Sequence, residues 1–140
     1  MVNDRLDVAL ACGADGVHLG PDDLPVADAR RTAPASFLIG YSTDAPDRAR
    51  RAVDEGADYI GCGTVYATPS KPDAGPPIGL ERLRQVVEAV DVPVLGIGGV
   101  APEHATEVAA TGAAGCAVIG SVMAAPDPEA AVRALLASFI

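Results

Sequence analysis

The sequence predicts an α/β fold on a parallel sheet, and three observations predict it. First, a helical stretch, a Gly, a short apolar run and a closing Gly recur three times, at Gly13–Gly20, Gly56–Gly63 and Gly112–Gly120. Second, two more apolar runs, 37–41 and 92–97, lack the polar alternation of a half-exposed strand, as expected for strands covered on both faces. Third, 15 Gly and 12 Pro in 140 residues are too many for a helical bundle and suit a chain of short βα turns.

The elements follow from this grammar. Helices are predicted over 5–12, 25–33, 45–55, 79–90, 102–111 and 127–139, and strands over 16–19, 37–41, 58–62, 92–97 and 115–119. Gly13, Gly56 and Gly112 close the helices before three of the strands, where a left-handed residue is needed. The helix at 79–90 sets Leu80, Leu83, Val86, Val87 and Val90 at helical spacing. Residues 64–78, rich in Pro, Gly and Thr, read as one long loop, a length usually reserved for function. Met1-Val2 leads straight into Asn3-Asp4, so no strand is expected there. No linker divides the chain, and residues 1–140 read as a single domain.

Composition narrows the function. The chain is 49% hydrophobic but only 4% aromatic, so its core is aliphatic. A net charge of −9 excludes a general electrostatic footprint for nucleic acid or an anionic membrane. No apolar run reaches the ~18 residues of a membrane span, and no basic segment leads into an apolar one as in a secretory signal. Cys12, Cys62 and Cys116 are an odd, scattered set in apolar contexts, read as reduced thiols of a cytoplasmic protein.

Two architectures fit such units: an open doubly wound sheet, which the length favours, and part of a (β/α)8 barrel. In both, ligands bind at the carboxyl ends of the strands. The polar residues there are Asn3 and Asp4, Asp22 and Asp23, Ser42, Thr43 and Asp44, then Thr64, Thr68, Ser70 and Lys71, and finally Gly98, Gly99, Gly120 and Ser121. Gly96-Ile97-Gly98-Gly99-Val100 before Pro102, and Gly120-Ser121 before the last helix, offer bare amides beside helix starts, which suit phosphate. The plainer reading is that these glycines only permit tight turns. Asp4 and Asp23 are hard oxygen donors of the kind Mg²⁺ takes alongside substrate phosphates; alternatively Asp4 caps a helix and Asp23 is solvated. Lys71 is the sole lysine. His18 alternates with Val17 and Leu19, so it either faces the site or packs as a neutral ring.

Taken together, these residues resemble the thiamine phosphate synthase family. The motifs are Asn3-Asp4-Arg5, Gly16-Val17-His18-Leu19-Gly20 with Asp22-Asp23-Leu24-Pro25, Ile39-Gly40-Tyr41-Ser42, and Val94–Val100 with the Gly120 turn. The most specific is Gly56–Pro72, which contains Thr68-Pro69-Ser70-Lys71. The resemblance implies a partial (β/α)8 barrel of five strands, corresponding to roughly the carboxyl two-thirds of the family, with the first strands of the barrel absent. It implies a transferase that joins hydroxymethylpyrimidine pyrophosphate to thiazole phosphate with Mg²⁺. Asp4 and Asp23 match the metal carboxylates, Asn3, Ser42 and Lys71 match contacts to the departing pyrophosphate, and Thr68, Ser70, Gly99, Gly120 and Ser121 match the thiazole phosphate site. Lys71 and Ser42 would carry the catalysis. Pro21, Asp44 and Gly120 stand where the family usually has Gln, His and Ser. A thiazole tautomerase, another phosphate-binding barrel enzyme and a non-catalytic phosphate-binding fragment are the rival readings. A partial barrel also leaves open edges, so self-association is expected.

Overall fold

The computed structural model describes residues 1–70 and 75–140. The elements are β1 (Val2–Asn3), α1 (Leu6–Ala11), β2 (Gly16–Leu19), α2 (Val26–Thr32), β3 (Leu38–Ser42), α3 (Pro46–Asp54), β4 (Tyr59–Gly63), α4 (Gly79–Val87), β5 (Val94–Ile97), α5 (Ala105–Ala109), β6 (Gly115–Ala117), α6 (Gly120–Met123) and α7 (Pro128–Leu136). A 3-10 turn at Pro102–His104 leads into α5.

The six strands form one parallel sheet in the order β1-β2-β3-β4-β5-β6. Sequential neighbours joined by helices build a barrel, whereas a doubly wound sheet reverses direction partway through its order. The sheet is a half-barrel, with β1 and β6 as its edges.

The pleat decides what each strand residue does, because successive side chains point to opposite faces. Val17, Leu19, Ile39, Ile60 and Cys62 are fully buried on one face. That face packs against the helices through Ala9, Ala29, Ala49, Leu83, Val86, Ala105 and Val108, which have no exposed surface. Alanines at these contacts let the helices lie close to the sheet. The alternating positions, His18, Leu38, Ser42, Tyr59 and Ile97, lie on the concave face; Leu38 is 46% and Ile97 40% exposed. No helix among the described residues is long and apolar enough to cross a membrane.

Three expectations change. The sheet has six strands, not five, because Val2–Asn3 pairs with Val17 and His18, and the Asp4 amide extends the ladder by donating to the His18 carbonyl at 2.9 Å. A two-residue strand is too short to leave a period, so only the partner strand reveals it. The turn after β6 winds into the short helix α6, and β6 itself stops at Ala117. The helix expected at 102–111 opens as a 3-10 turn.

One polar clamp ties the layers together. The Arg30 guanidinium, on α2, donates to the carbonyls of Phe37 and Gly56 and to the Asp58 carboxylate, at 2.6 to 3.1 Å. The same carboxylate oxygen holds the entry to β3, since Asp58 Oδ2 also accepts from the Ile39 amide at 2.7 Å. Arg30 and Asp58 keep 24% and 40% of their side-chain exposure, so solvent screens the ion pair and the carbonyls carry more of the effect. Arg30→Ala is expected to lower stability by about 1–3 kcal/mol, because two carbonyls lose their donors. Arg30→Lys restores little, having no planar fork. Urea titration of the variants tests this; unchanged midpoints would show the clamp to be idle.

Candidate active site

The concave face carries a built polar network at its centre. His18, Gly40 and Tyr59 stand level on neighbouring strands, and Ser42 stands two residues farther along β3, beside Gly61. The His18 ring joins them: Nδ1 lies 2.8 Å from Tyr59 Oη, and Nε2 lies 2.7 Å from Ser42 Oγ. Glycine makes the room. A Cβ on Gly40 would lie 2.1 Å from Tyr59 Cζ, and one on Gly61 would lie 3.2 Å from His18 Cε1. Tyr59 therefore reaches across β3 only because Gly40 has no side chain.

The carboxylates gather at the rim above His18. Asp4 follows β1 with φ of 65°, an unusual left-handed conformation for a non-glycine residue. Its amide is spent on the His18 carbonyl and its side chain is exposed. Asp23 is half-buried and accepts from the Gly20 amide at 2.6 Å, which fixes its carboxylate at the end of β2. Burial holds the His18 imidazole below its ordinary pKa, and the charges of Asp4 and Asp23 pull the other way. Asn3, exposed at the end of β1, pairs in register with His18. Asn3, Asp4, Asp23 and Ser42 thus surround one histidine. On the far side of Asp23 a cavity of about 410 Å³ opens between the 20–26 segment and α3, with Arg48 and Arg51 in its wall.

A second group forms where the segment after β4 turns over the ends of β5 and β6. The Val65 and Tyr66 amides donate to the carbonyls of Ile97 and Gly98 at 2.9 Å each. Gly99, at φ of 64°, lies so close beneath this segment that a Cβ there would meet the Ala67 carbonyl oxygen at 2.5 Å. Tyr66 stacks on His104 with centroids 4.1 Å apart and its hydroxyl donates to Glu107, pinning the segment from outside. Thr68 Oγ1 accepts from the Ser70 amide at 3.2 Å. Ser70 reaches the start of α6, where a Cβ on Gly120 would lie 3.5 Å from its hydroxyl. The Ser121 Oγ is buried with no hydrogen-bond partner among the described residues. Thr68, Ser70, Gly99, Gly120 and Ser121 are therefore brought together. Lys71 lies outside the described residues.

Sequence reasoning missed Tyr59, which looked like one more apolar strand residue, and left His18 without a role. His104 contributes too: its ring is half-buried under Tyr66 and its Nδ1 accepts from the Ala101 amide at 3.3 Å. The available signal was glycine inside two strands, Gly40 and Gly61, which marks a close approach. Cys62 faces the helices instead of the site, and burial, reinforced by Asp44, pushes its thiol up to about 12, so it stays protonated and inert.

A family model described as thiamine monophosphate synthase matches residues 1–122. The thiamine-phosphate synthase of Roseiflexus sp. strain RS-1 is 53% identical over 96% of this chain and 57% of its own length. A bifunctional thiamine biosynthesis protein of Symbiobacterium thermophilum is 60% identical over 97% of this chain and 28% of its own. Among solved structures, thiamine phosphate pyrophosphorylase from Pyrococcus furiosus superposes with a TM-score of 0.87 at 46% identity, over 99% of this chain and 65% of that one. The chain spans less than two thirds of each of these relatives.

The lowered His18 pKa has a consequence for stability. The unfolded histidine takes up a proton near the ordinary imidazole value of 6.5, but the folded ring resists until lower pH. Between the two values the unfolded state binds more protons, so stability is full above pH 6.5 and falls as pH drops through the folded value. Urea midpoints measured from pH 8 down to pH 5 are expected to show this decline in the wild type and to lose its histidine component in His18→Gln. A wild type flat across that range would refute it.

Proposed function

Because the chain belongs to the thiamine monophosphate synthase family, we propose that it serves the family's transfer. In that reaction hydroxymethylpyrimidine pyrophosphate and thiazole phosphate give thiamine phosphate and pyrophosphate. The observation that carries this reading is the meeting of two rim groups: carboxylates and Ser42 around His18, and small residues with free turns around Gly99 and Gly120. One group suits a metal-associated pyrophosphate; the other suits a monophosphate.

Mg²⁺ fits the first group by its donor chemistry. Asp4 is exposed, and Asp23 has one oxygen engaged by the Gly20 amide and the other available. No set of three His, Cys, Asp or Glu ligands occurs among the described residues, so the site is not an all-protein cage. A metal that keeps its waters and takes one or two carboxylates plus phosphate oxygens matches such a set. Held by Asp4 and Asp23, it would supply positive charge where pyrophosphate charge develops.

The chain's own groups would do the rest by positioning and charge neutralisation. Asn3 and Ser42 would hold the departing pyrophosphate, with Lys71 as the cation of that end. As the C–O bond to pyrophosphate breaks, its electron pair leaves with the oxygen, and the thiazole nitrogen supplies the pair for the new C–N bond. No nucleophilic side chain is required. The Ser70 hydroxyl, Thr68, the amides at Gly99 and Gly120, and the unpartnered Ser121 hydroxyl would grip the thiazole phosphate and set the nitrogen's line of approach.

The test is the full chain with both substrates and Mg²⁺, with thiamine phosphate quantified by fluorescence after oxidation. Product is expected, lost on chelation and restored by Mg²⁺. Asp4→Asn and Asp23→Asn are each expected to lower turnover by at least about 100-fold. Magnesium pyrophosphate binding without any product would overturn the transferase reading and leave a phosphate-binding protein.

A further inference from the structure

We propose that Tyr59 is a positioning residue: acting through His18, it sets the direction of a hydrogen-bond chain that leaves the Ser42 O–H free at the rim. The role of that free hydroxyl rests on the anion site proposed above; the direction of the chain does not.

Three groups share two bonds, with Tyr59 Oη at 2.8 Å from Nδ1 and Ser42 Oγ at 2.7 Å from Nε2. A neutral imidazole carries one N–H, so only two arrangements use both contacts. In one, Tyr59 O–H donates to Nδ1, Nε2–H donates to Ser42 Oγ, and the serine proton is left over. In the other, Ser42 O–H donates to Nε2, Nδ1–H donates to Tyr59 Oη, and the tyrosine proton is left over. A serine so placed could only accept, and would meet an anion with lone pairs.

Two features select the first. A phenol is a far stronger acid than an alcohol, so it is the better donor of the two hydroxyls. Tyr59 is half-buried over Gly40, and His18 is the sole hydrogen-bond partner of its hydroxyl among the described residues, so the reverse arrangement would leave the tyrosine proton with no acceptor among them. Ser42 ends β3 at the rim, where a leftover proton can meet a ligand. The arrangement is built rather than incidental, because it needs glycine at Gly40, and at Gly61 a Cβ would already crowd the His18 ring at 3.2 Å.

The test uses the full chain, ¹⁵N-labelled, with the His18 ring assigned by its loss in His18→Gln. Long-range ¹H–¹⁵N spectra are expected to show a protonated Nε2 and a bare Nδ1. Tyr59→Phe should abolish that preference and weaken magnesium pyrophosphate binding roughly fivefold. The thermal midpoint should barely move, and the variant should have no effect on binding in a Ser42→Ala background. Gly40→Ala, which displaces the ring without altering Tyr59, should reproduce the tautomer change. A wild type protonated at Nδ1, or a Tyr59→Phe variant with tautomer and binding unchanged, would overturn the proposal. A wild type protonated at Nε2 that binds no magnesium pyrophosphate would sink the anion site while upholding the chain's direction.

Discussion

The pleat of a parallel sheet is the constraint on which everything else depends. It sends Val17, Ile39 and Ile60 to the helices and His18, Gly40 and Tyr59, in register one strand to the next, to the open face. A shift of one residue in any of these pairings would exchange the two sets, placing an imidazole in the aliphatic core and the core side chains in solvent. The apolar face therefore holds the polar face in place. The ring of His18 meets its two partners because the burial of its neighbours leaves the strands no alternative register.

Glycine does different work in the two halves of the site. Under the polar network it removes side chains, so that rings from non-adjacent strands can touch. At Gly99 it removes a Cβ and accepts a left-handed backbone, so that the segment after β4 can lie directly on the turn after β5. Both uses bring groups from distant parts of the chain within contact distance at one rim, and neither leaves a charged residue to announce it. Turns and hydroxyls there offer hydrogen-bond donors to the rim without adding formal charge.

Stability and chemistry are kept apart by the same geometry. The Arg30 clamp lies at the opposite ends of the strands, joining the α2 side to the entries of β3 and β4. Among the described residues no ion pair involves Asp4 or Asp23, so both face the rim without a guanidinium partner. Cys62, though only one residue from Gly61, belongs to the core by its direction and is chemically silent for that reason.

Sequence alone determined the alternation of helices and apolar strands, the parallel class, and the rim as the place for Asp4, Asp23, Ser42, Thr68, Ser70 and the two glycine turns. These are local signals: spacing, capping and turn chemistry are written within a few residues of where they act. Only the tertiary structure decided that Val2–Asn3 is a strand, that the sheet has six strands in barrel order, and that Tyr59 reaches His18 across Gly40. Each of those depends on a partner distant in the chain, and a two-residue ladder or a space left by a missing Cβ exists only once that partner is in place.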